Sequence, residues 1–319
     1  MDKASTAPAQ RDKRLENMMA GLEELESWLQ DLVRFGFARL TERGDDPFAA
    51  ISARMVDAKL GGIARKLRHC SNYLALPDWP SRLAQEIGEL YLFLKAMQNF
   101  ERMPNLLQED LLTLAGVNRR KEEVLKEGQT VTDQWWVMGQ SEGEEENLRF
   151  RRIWLRGKQT GRYALLLDYA WGRQEFAGEW LFQQAYDGQL VFYPAVYPQR
   201  ALVKSIQFSE NATPKQAPWR SHTTISAMLE EYASALGTLP WLPQFPTILL
   251  KMLPVRQKDQ WYALDSTGKM LPLEGDETGW TLRSFGAGNP IALFGEWDGR
   301  QFTALSAGYA GRVIKVAKK

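Results

Sequence analysis

The chain predicts an α+β protein: an N-terminal α-helical bundle followed by a mainly antiparallel, Trp-rich β region with one inserted helix. Three observations predict it. Apolar residues recur in steps of three and four through the first part, and after Gly128 they alternate with a period of two. Of 12 tryptophans, only Trp28 and Trp79 precede residue 129. Asp187-Gly188 and Asp298-Gly299 sit between apolar runs of the second part, the dipeptides that favour tight hairpins. The division that follows is a polar tail over 1–14, a helical domain over 15–128 and a mainly β domain over 129–319.

The elements follow in order. Leu15, Met18, Leu22, Leu25, Leu29 and Leu32 form the a/d seam of one long helix. Met19, Trp28, Val33 and Phe35 widen the stripe, which suits packing inside a bundle, although a dimerising coil has the same spacing. Asp46-Pro47 reads as an N-cap followed by proline at the first helical position. It opens a second helix through Phe48, Ile51, Met55, Leu60, Ile63, Leu67, Cys70 and Leu74. Gly61-Gly62 marks a kink in it or a close helix contact. A third helix runs from Pro80 to Met97, and a short fourth from Pro104 to about Ala115 with Gly116 as its stop. Beyond them Trp135–Met138, Ile153–Leu155, Tyr163–Leu167, Leu190–Tyr193, Ala201–Phe208, Thr247–Met252, Trp261–Leu264, Trp280–Arg283 and Ile291–Phe294 read as strands. Ser221 is placed to cap the inserted helix, which carries Ile225, Met228, Leu229 and Tyr232. Thr267-Gly268 and Gly286-Ala287-Gly288-Asn289-Pro290 supply further turns.

Composition narrows the chemistry. The 319 residues carry a formal charge of +1, so no bulk charge draws the molecule to nucleic acid or an anionic membrane. One cysteine and two histidines cannot build a disulfide framework or a structural zinc site, so no cofactor or metal is expected in this chain. The polar N-terminus and the lack of a long apolar run predict a cytoplasmic protein with no membrane partner.

The candidate catalytic motifs are weak. Gly139-Gln140-Ser141-Glu142-Gly143 has the letters of a nucleophile elbow, with Asp168 and His222 following in order. Glu144-Glu145-Glu146 beside the serine would repel an oxyanion, and a strand pattern follows where a helix is required, so a hairpin loop is expected. His69 and Cys70 are neighbours on a helix and diverge by about 100°, giving a surface imidazole and a buried thiol. Neither Gly268-Lys269 nor Gly286-Ala287-Gly288 completes a phosphate-binding pattern. Asn211-Ala212-Thr213 would be a glycosylation acceptor only in a secreted chain.

The most suggestive surface is a strand face on which Phe150, Arg152, Trp154, Arg156 and Lys158 alternate, a basic-aromatic row of the type that holds single-stranded nucleic acid. Arg152, Trp154, Arg156 and Lys158 are the candidate binding residues. The plainer reading is a cationic solvent face neutralised by the acidic segment 142–146 across one hairpin.

Gly21-Leu22-Glu23-Glu24-Leu25-Glu26-Ser27-Trp28-Leu29-Gln30-Asp31-Leu32-Val33-Arg34 resembles the region after the zinc finger in bacterial SWIM zinc-finger proteins. The likeness continues at 53–59, 62–67, 153–155, 161–168, 190–194 and 292–297, so it is scattered over most of the chain. The C-x-C…C-x-H ligands of that finger have no counterpart here, so zinc belongs to a segment that this chain does not contain. The resemblance implies an accessory or adaptor protein of the kind that accompanies MoxR-type AAA+ ATPases and von Willebrand factor A-domain proteins. The expectation is therefore a non-catalytic interaction protein with a protein partner. A nucleic-acid module using the basic-aromatic row and a hydrolase using Ser141 with His222 are the alternatives, and the oligomeric state is open.

Overall fold

The computed structural model describes residues 6–41, 45–145, 148–172, 174–176, 178–210 and 221–316. The Asn211-Ala212-Thr213 acceptor and Glu146 lie outside the described residues. The chain forms two compact units, one of residues 1–120 with 194–196, the other of 121–193 with 197–319.

In the first unit, α1 (Thr6–Phe35) is followed by a 3₁₀ turn, Phe37–Thr41, and then by α2 (Ala49–Asp57), α3 (Gly61–Tyr73), α4 (Trp79–Gln98) and α5 (Asn105–Ala115). The predicted seam of α1 is buried within its own chain at Met18, Leu22, Leu25, Leu29 and Leu32. Phe48, Ile51, Met55, Leu67, Leu83, Leu90, Phe93 and Met97 are buried in the same unit and make up the rest of the bundle core. Val33 and Phe35, expected to widen the stripe, are instead solvent-facing, Val33 at 69% exposure. The first helix begins at Thr6, inside the segment expected to be a tail.

The predicted second helix is two. The chain turns at Lys59, which takes φ 65°, and Leu60 is buried as it enters α3. The break therefore falls before Gly61-Gly62, and of the two glycines Gly62 serves the close contact. A Cβ on Gly62 would stand 2.0 Å from the Leu114 carbonyl oxygen, and one on Gly116 2.6 Å from the Gly62 nitrogen. Gly116 also ends α5 in the left-handed conformation at φ 97°. Asp46 holds the approach to α2 by accepting from the Phe48 backbone N–H at 2.9 Å.

The second unit opens with α6 (Lys121–Glu127), which sequence reading had left within the helical half. Five strands follow: β1 (Gln129–Glu145), β2 (Leu148–Gly157), β3 (Tyr163–Trp171), β4 (Ala185–Phe192) and β5 (Ala201–Phe208). They form an antiparallel sheet in the order β3-β2-β1-β4-β5. After α7 (Ile225–Thr238) come β6 (Phe245–Gln257), β7 (Gln260–Leu264) and β8 (Met270–Pro272). Then come α8 (Asp276–Phe285), β9 (Ile291–Trp297), β10 (Phe302–Tyr309) and β11 (Arg312–Lys315). This second sheet runs β11-β10-β9-β6-β7-β8.

Both faces of the first sheet are buried at its centre, which is why Trp135-Trp136-Val137-Met138 is apolar without alternation. Trp136, Met138, Trp154 and Leu165 pack with Ile248, Phe294 and Leu305 between the sheets. Trp135, Val137, Ile153 and Leu155 form the opposite face with Leu190 and Phe192. Gly139 marks a bulge in β1 where a Cβ would stand 2.6 Å from that of Leu305.

Three expectations need correction. Asp187-Gly188 lies inside β4, paired with both β1 and β5, and makes no turn. Trp280–Arg283 belongs to α8 rather than to a strand. Asp276 and Glu277 open its first turn, and Gly279 and Leu282 are buried one turn apart, with Gly279 against the Trp261 ring. Thr224, not Ser221, caps α7, its hydroxyl accepting from the Ala227 N–H at 3.3 Å. No helix among the described residues is long and apolar enough to cross a membrane.

Candidate binding pocket

The basic-aromatic row occupies one face of β2, as alternation predicts, but it is not an open surface. Trp154 is 0% exposed within the cluster between the sheets. Its indole Nε1 donates to Glu296 Oε1 on β9. The same oxygen accepts from Arg152 Nε at 3.2 Å and Nη2 at 2.9 Å, and Nη2 also donates to Gln244 Oε1. A buried carboxylate thus neutralises Arg152 from the other sheet. The stacking platform proposed for bases is already occupied, because the Trp154 ring meets Tyr163 edge-on at 6.4 Å. Lys158 is exposed beyond the end of β2, and Arg156 lies between these two environments. On the opposite face Arg151 Nη2 donates to Asp168 Oδ2 at 2.6 Å and to the Gly178 carbonyl at 3.0 Å. Within the expected hairpin neutralisation, Arg149 lies 3.7 Å from Glu142.

The elbow motif takes a different form from the hairpin loop expected of it. Gly139–Gly143 runs inside β1, with Ser141 paired to Arg152 in register, so no sharp strand-to-helix turn presents the hydroxyl. Cys70 is buried on α3 and burial pushes its thiol up to about 12, while His69 is exposed with its ring edge-on to Tyr73 at 5.3 Å. Among the described residues no group of three His, Cys, Asp or Glu side chains is placed to hold a metal ion.

Arg156 leads to a pocket of about 620 Å³ in the second unit. Its walls come from the end of β2, the start of β3, the 197–199 segment, the 221–222 segment, α7 and β6. The Arg156 guanidinium lies 5.0 Å from the centre of the Tyr163 ring, and that ring stacks on Phe294 at 5.9 Å. Arg162 covers the Phe192 ring at 4.1 Å and donates from Nη1 to Gln129 Oε1 at 2.9 Å. Burial lowers the Arg162 pKa, but a guanidinium stays charged through such a shift.

Histidine 222 is fixed by backbone pairing to β6. Its N–H donates to the Ile248 carbonyl at 3.1 Å and its own carbonyl accepts from the Leu250 N–H at 2.8 Å. Its Nε2 lies 2.7 Å from Glu231 Oε2, nearly two turns into α7. A carboxylate only accepts, so Nε2 carries the hydrogen. The helix that brings Glu231 here is anchored at its start by Asp265 Oδ2, which accepts from the Ile225 N–H at 2.8 Å.

Two wall hydroxyls are orphaned. Tyr163 Oη and Thr247 Oγ1 are buried and find no hydrogen-bond partner among the described residues. Burial pushes the Tyr163 phenol well up; Arg156 pulls it back, and Glu231 and Tyr197 push it further. Burial, then Glu231, raises Tyr197 as well. Both are therefore neutral phenols at physiological pH, able to donate.

Of these wall residues the sequence singles out Arg156 and His222, in two unrelated roles. It does not bring them together, and it gives no sign of Arg162, Tyr163, Tyr197, Glu231 and Thr247. No local signal could have supplied them, since they come from four separate stretches of chain brought together by tertiary pairing, such as that of β2 with β3, of Leu165 with Arg200 and of His222 with β6.

Residues 13–115 match the family model of the SWIM-associated four-helix bundle domain. The match covers α1 through α5, with α2 and α3 standing where sequence reading placed one helix. No curated protein and no solved structure matches the chain. Over these residues the helical unit is similar to the SWIM-associated four-helix bundle domain.

Proposed function

We propose that the protein is a non-catalytic accessory protein whose helical bundle docks a partner protein. The observation that carries the reading is an apolar groove of about 570 Å³ on the bundle, between α1 and α4. Leu29, Val33 and Phe37 line one side, Ile87 and Tyr91 the other, and Gly88 opens its floor. Solvent-facing Val33, Tyr91 and Leu92 extend the apolar surface. Its shape suits an amphipathic helix with apolar anchors a turn apart, and Arg34 on the wall favours acidic residues flanking those anchors.

The resemblance to SWIM proteins supports a MoxR-type AAA+ ATPase or a von Willebrand factor A-domain protein as the partner. A cytoplasmic setting fits the role, since one unpaired cysteine suits a reducing compartment. The burial of Trp154 and the pairing of Arg152 weigh against the nucleic-acid alternative.

Gly88→Arg is the discriminating variant. A Cβ at Gly88 meets nothing within 4 Å, so the long side chain fills the groove without disturbing the helix. Calorimetric titration against purified candidate partners should give binding that Gly88→Arg weakens by about tenfold or more, roughly 1.4 kcal/mol, with the far-ultraviolet spectrum unchanged. Binding indifferent to this variant, or turnover of a small molecule by the purified chain, would overturn the reading.

A further inference from the structure

We infer that the pocket of the β unit is a ligand site for a small molecule bearing an oxyanion, a phosphate or a carboxylate. The inference does not depend on the bundle groove. A volume of about 620 Å³ is in the range that encloses a metabolite rather than a lone ion or a few waters. Three donors converge on it. Arg156 brings guanidinium charge 5.0 Å from the centre of the Tyr163 ring, its Nε donating to the Gly161 carbonyl at 3.4 Å. Tyr163 and Thr247 bring buried hydroxyls that find no partner among the described residues.

A folded protein rarely leaves two such groups unsatisfied in one wall, and a bound acceptor would satisfy both. Tyr163 and Thr247 both line the wall. The one carboxylate on the wall among the described residues, Glu231, is engaged by His222 Nε2 at 2.7 Å. The charge of Arg156 offsets that of Glu231, and the two orphaned hydroxyls add donors for an acceptor. With Nε2 donating to Glu231, Nδ1 of neutral His222 is left as an acceptor for a ligand hydroxyl. The ligand is therefore an oxyanion on a polar body rather than a hydrophobic molecule.

The test is calorimetric titration of the full chain with inorganic phosphate, ribose 5-phosphate and citrate, which separates the bare anion, a phosphate on a hydroxylated body and a carboxylate. Saturable binding of at least one probe is expected, with ribose 5-phosphate tighter than inorganic phosphate if the body is also recognised. Arg156→Gln should weaken it by about tenfold. Glu231→Gln removes a repelling charge from a half-exposed position and should tighten it by about threefold. Should Arg156→Gln fail to fold, Glu231→Gln still decides, because only an anion site responds with that sign. Absence of saturable binding for all three probes up to about 10 mM on folded protein would overturn the inference. So would weakening by Glu231→Gln.

Discussion

Replacing Glu296 by leucine removes the carboxylate that gathers Arg152 and Trp154 between the two sheets. Its side chain is nearly buried, and that of Arg152 is less than a fifth exposed. Without it, Arg152 keeps Gln244 as an acceptor but loses its counter-charge, and the Trp154 N–H is left in an apolar cluster. Breaking a buried ion pair from one side costs about 3–5 kcal/mol, because the surviving charge stays desolvated. For a unit of this size each kcal/mol moves the melting temperature by about 2–4 °C, so a loss of more than 6 °C is expected. The double variant Arg152→Met with Glu296→Leu removes both charges while keeping apolar volume, and should recover most of that loss. Urea unfolding followed by tryptophan fluorescence measures both, since ten of the 12 tryptophans lie in the second unit and Trp154 touches the pair itself. A cost below about 1 kcal/mol for Glu296→Leu would refute the reasoning. It would mean that the pair is solvated and that the basic row of β2 is open after all.

Other outcomes follow from the same physics. Leu25→Arg places a charge at a fully buried position of the α1 seam and should unfold the bundle, at several kcal/mol, rather than release folded monomers; circular dichroism with sedimentation distinguishes the two. Burial pushes Asp110 up to about 6 from the ordinary 3.8, with the Val196 N–H, donating at 2.8 Å, pulling it back. The folded state therefore binds the proton more tightly than the unfolded one, so stability falls as pH rises between about 4 and 6 and stays lower above that window, by up to about 3 kcal/mol. Asp110→Asn, which can still accept from Val196, should flatten that slope and stabilise the bundle at neutral pH, as urea titrations across the window would show; an unchanged slope would refute the assignment. Cys70, with its thiol pushed up to about 12, should resist alkylation at neutral pH until urea unfolds the bundle, and rapid labelling of the native protein would contradict its burial.

The helical half was legible because each signal there is local. The α4 stripe at Leu83, Ile87, Leu90, Leu94 and Met97 buries as its spacing requires, and Gly116 stops α5 where a left-handed residue is needed. Asp298-Gly299 makes the β9–β10 turn, with Gly299 at φ 94° and Asp298 Oδ1 accepting from the Arg300 and Gln301 N–H groups at 2.8 Å. Asp187-Gly188 carries the same letters but lies where β4 needs a residue without a side chain, since a Cβ there would stand 2.2 Å from the Ser205 carbonyl. The dipeptide alone does not distinguish a turn from a crowded strand. The β2 row failed for a related reason. Alternation showed which residues share a face, but not that a second sheet lies on that face and supplies Glu296 from 144 residues away. The pocket depends on that same tertiary assembly, so its residues were invisible one at a time.

The seat of Gly62 against Gly116 restricts how the bundle can change over mutational time. Peptide backbones meet there, so neither position holds a side chain that a second mutation could trim. A substitution at one glycine cannot be rescued by a smaller residue at the other, as a large-to-small swap rescues an overpacked core. A revertant would have to slide α3 along the end of α5, shifting the register of every buried residue on both helices at once. The pair acts as an anchor for drift. Solvent-facing positions outside the α1–α4 groove can vary singly, while the contact of α3 with α5 keeps the geometry with which it began.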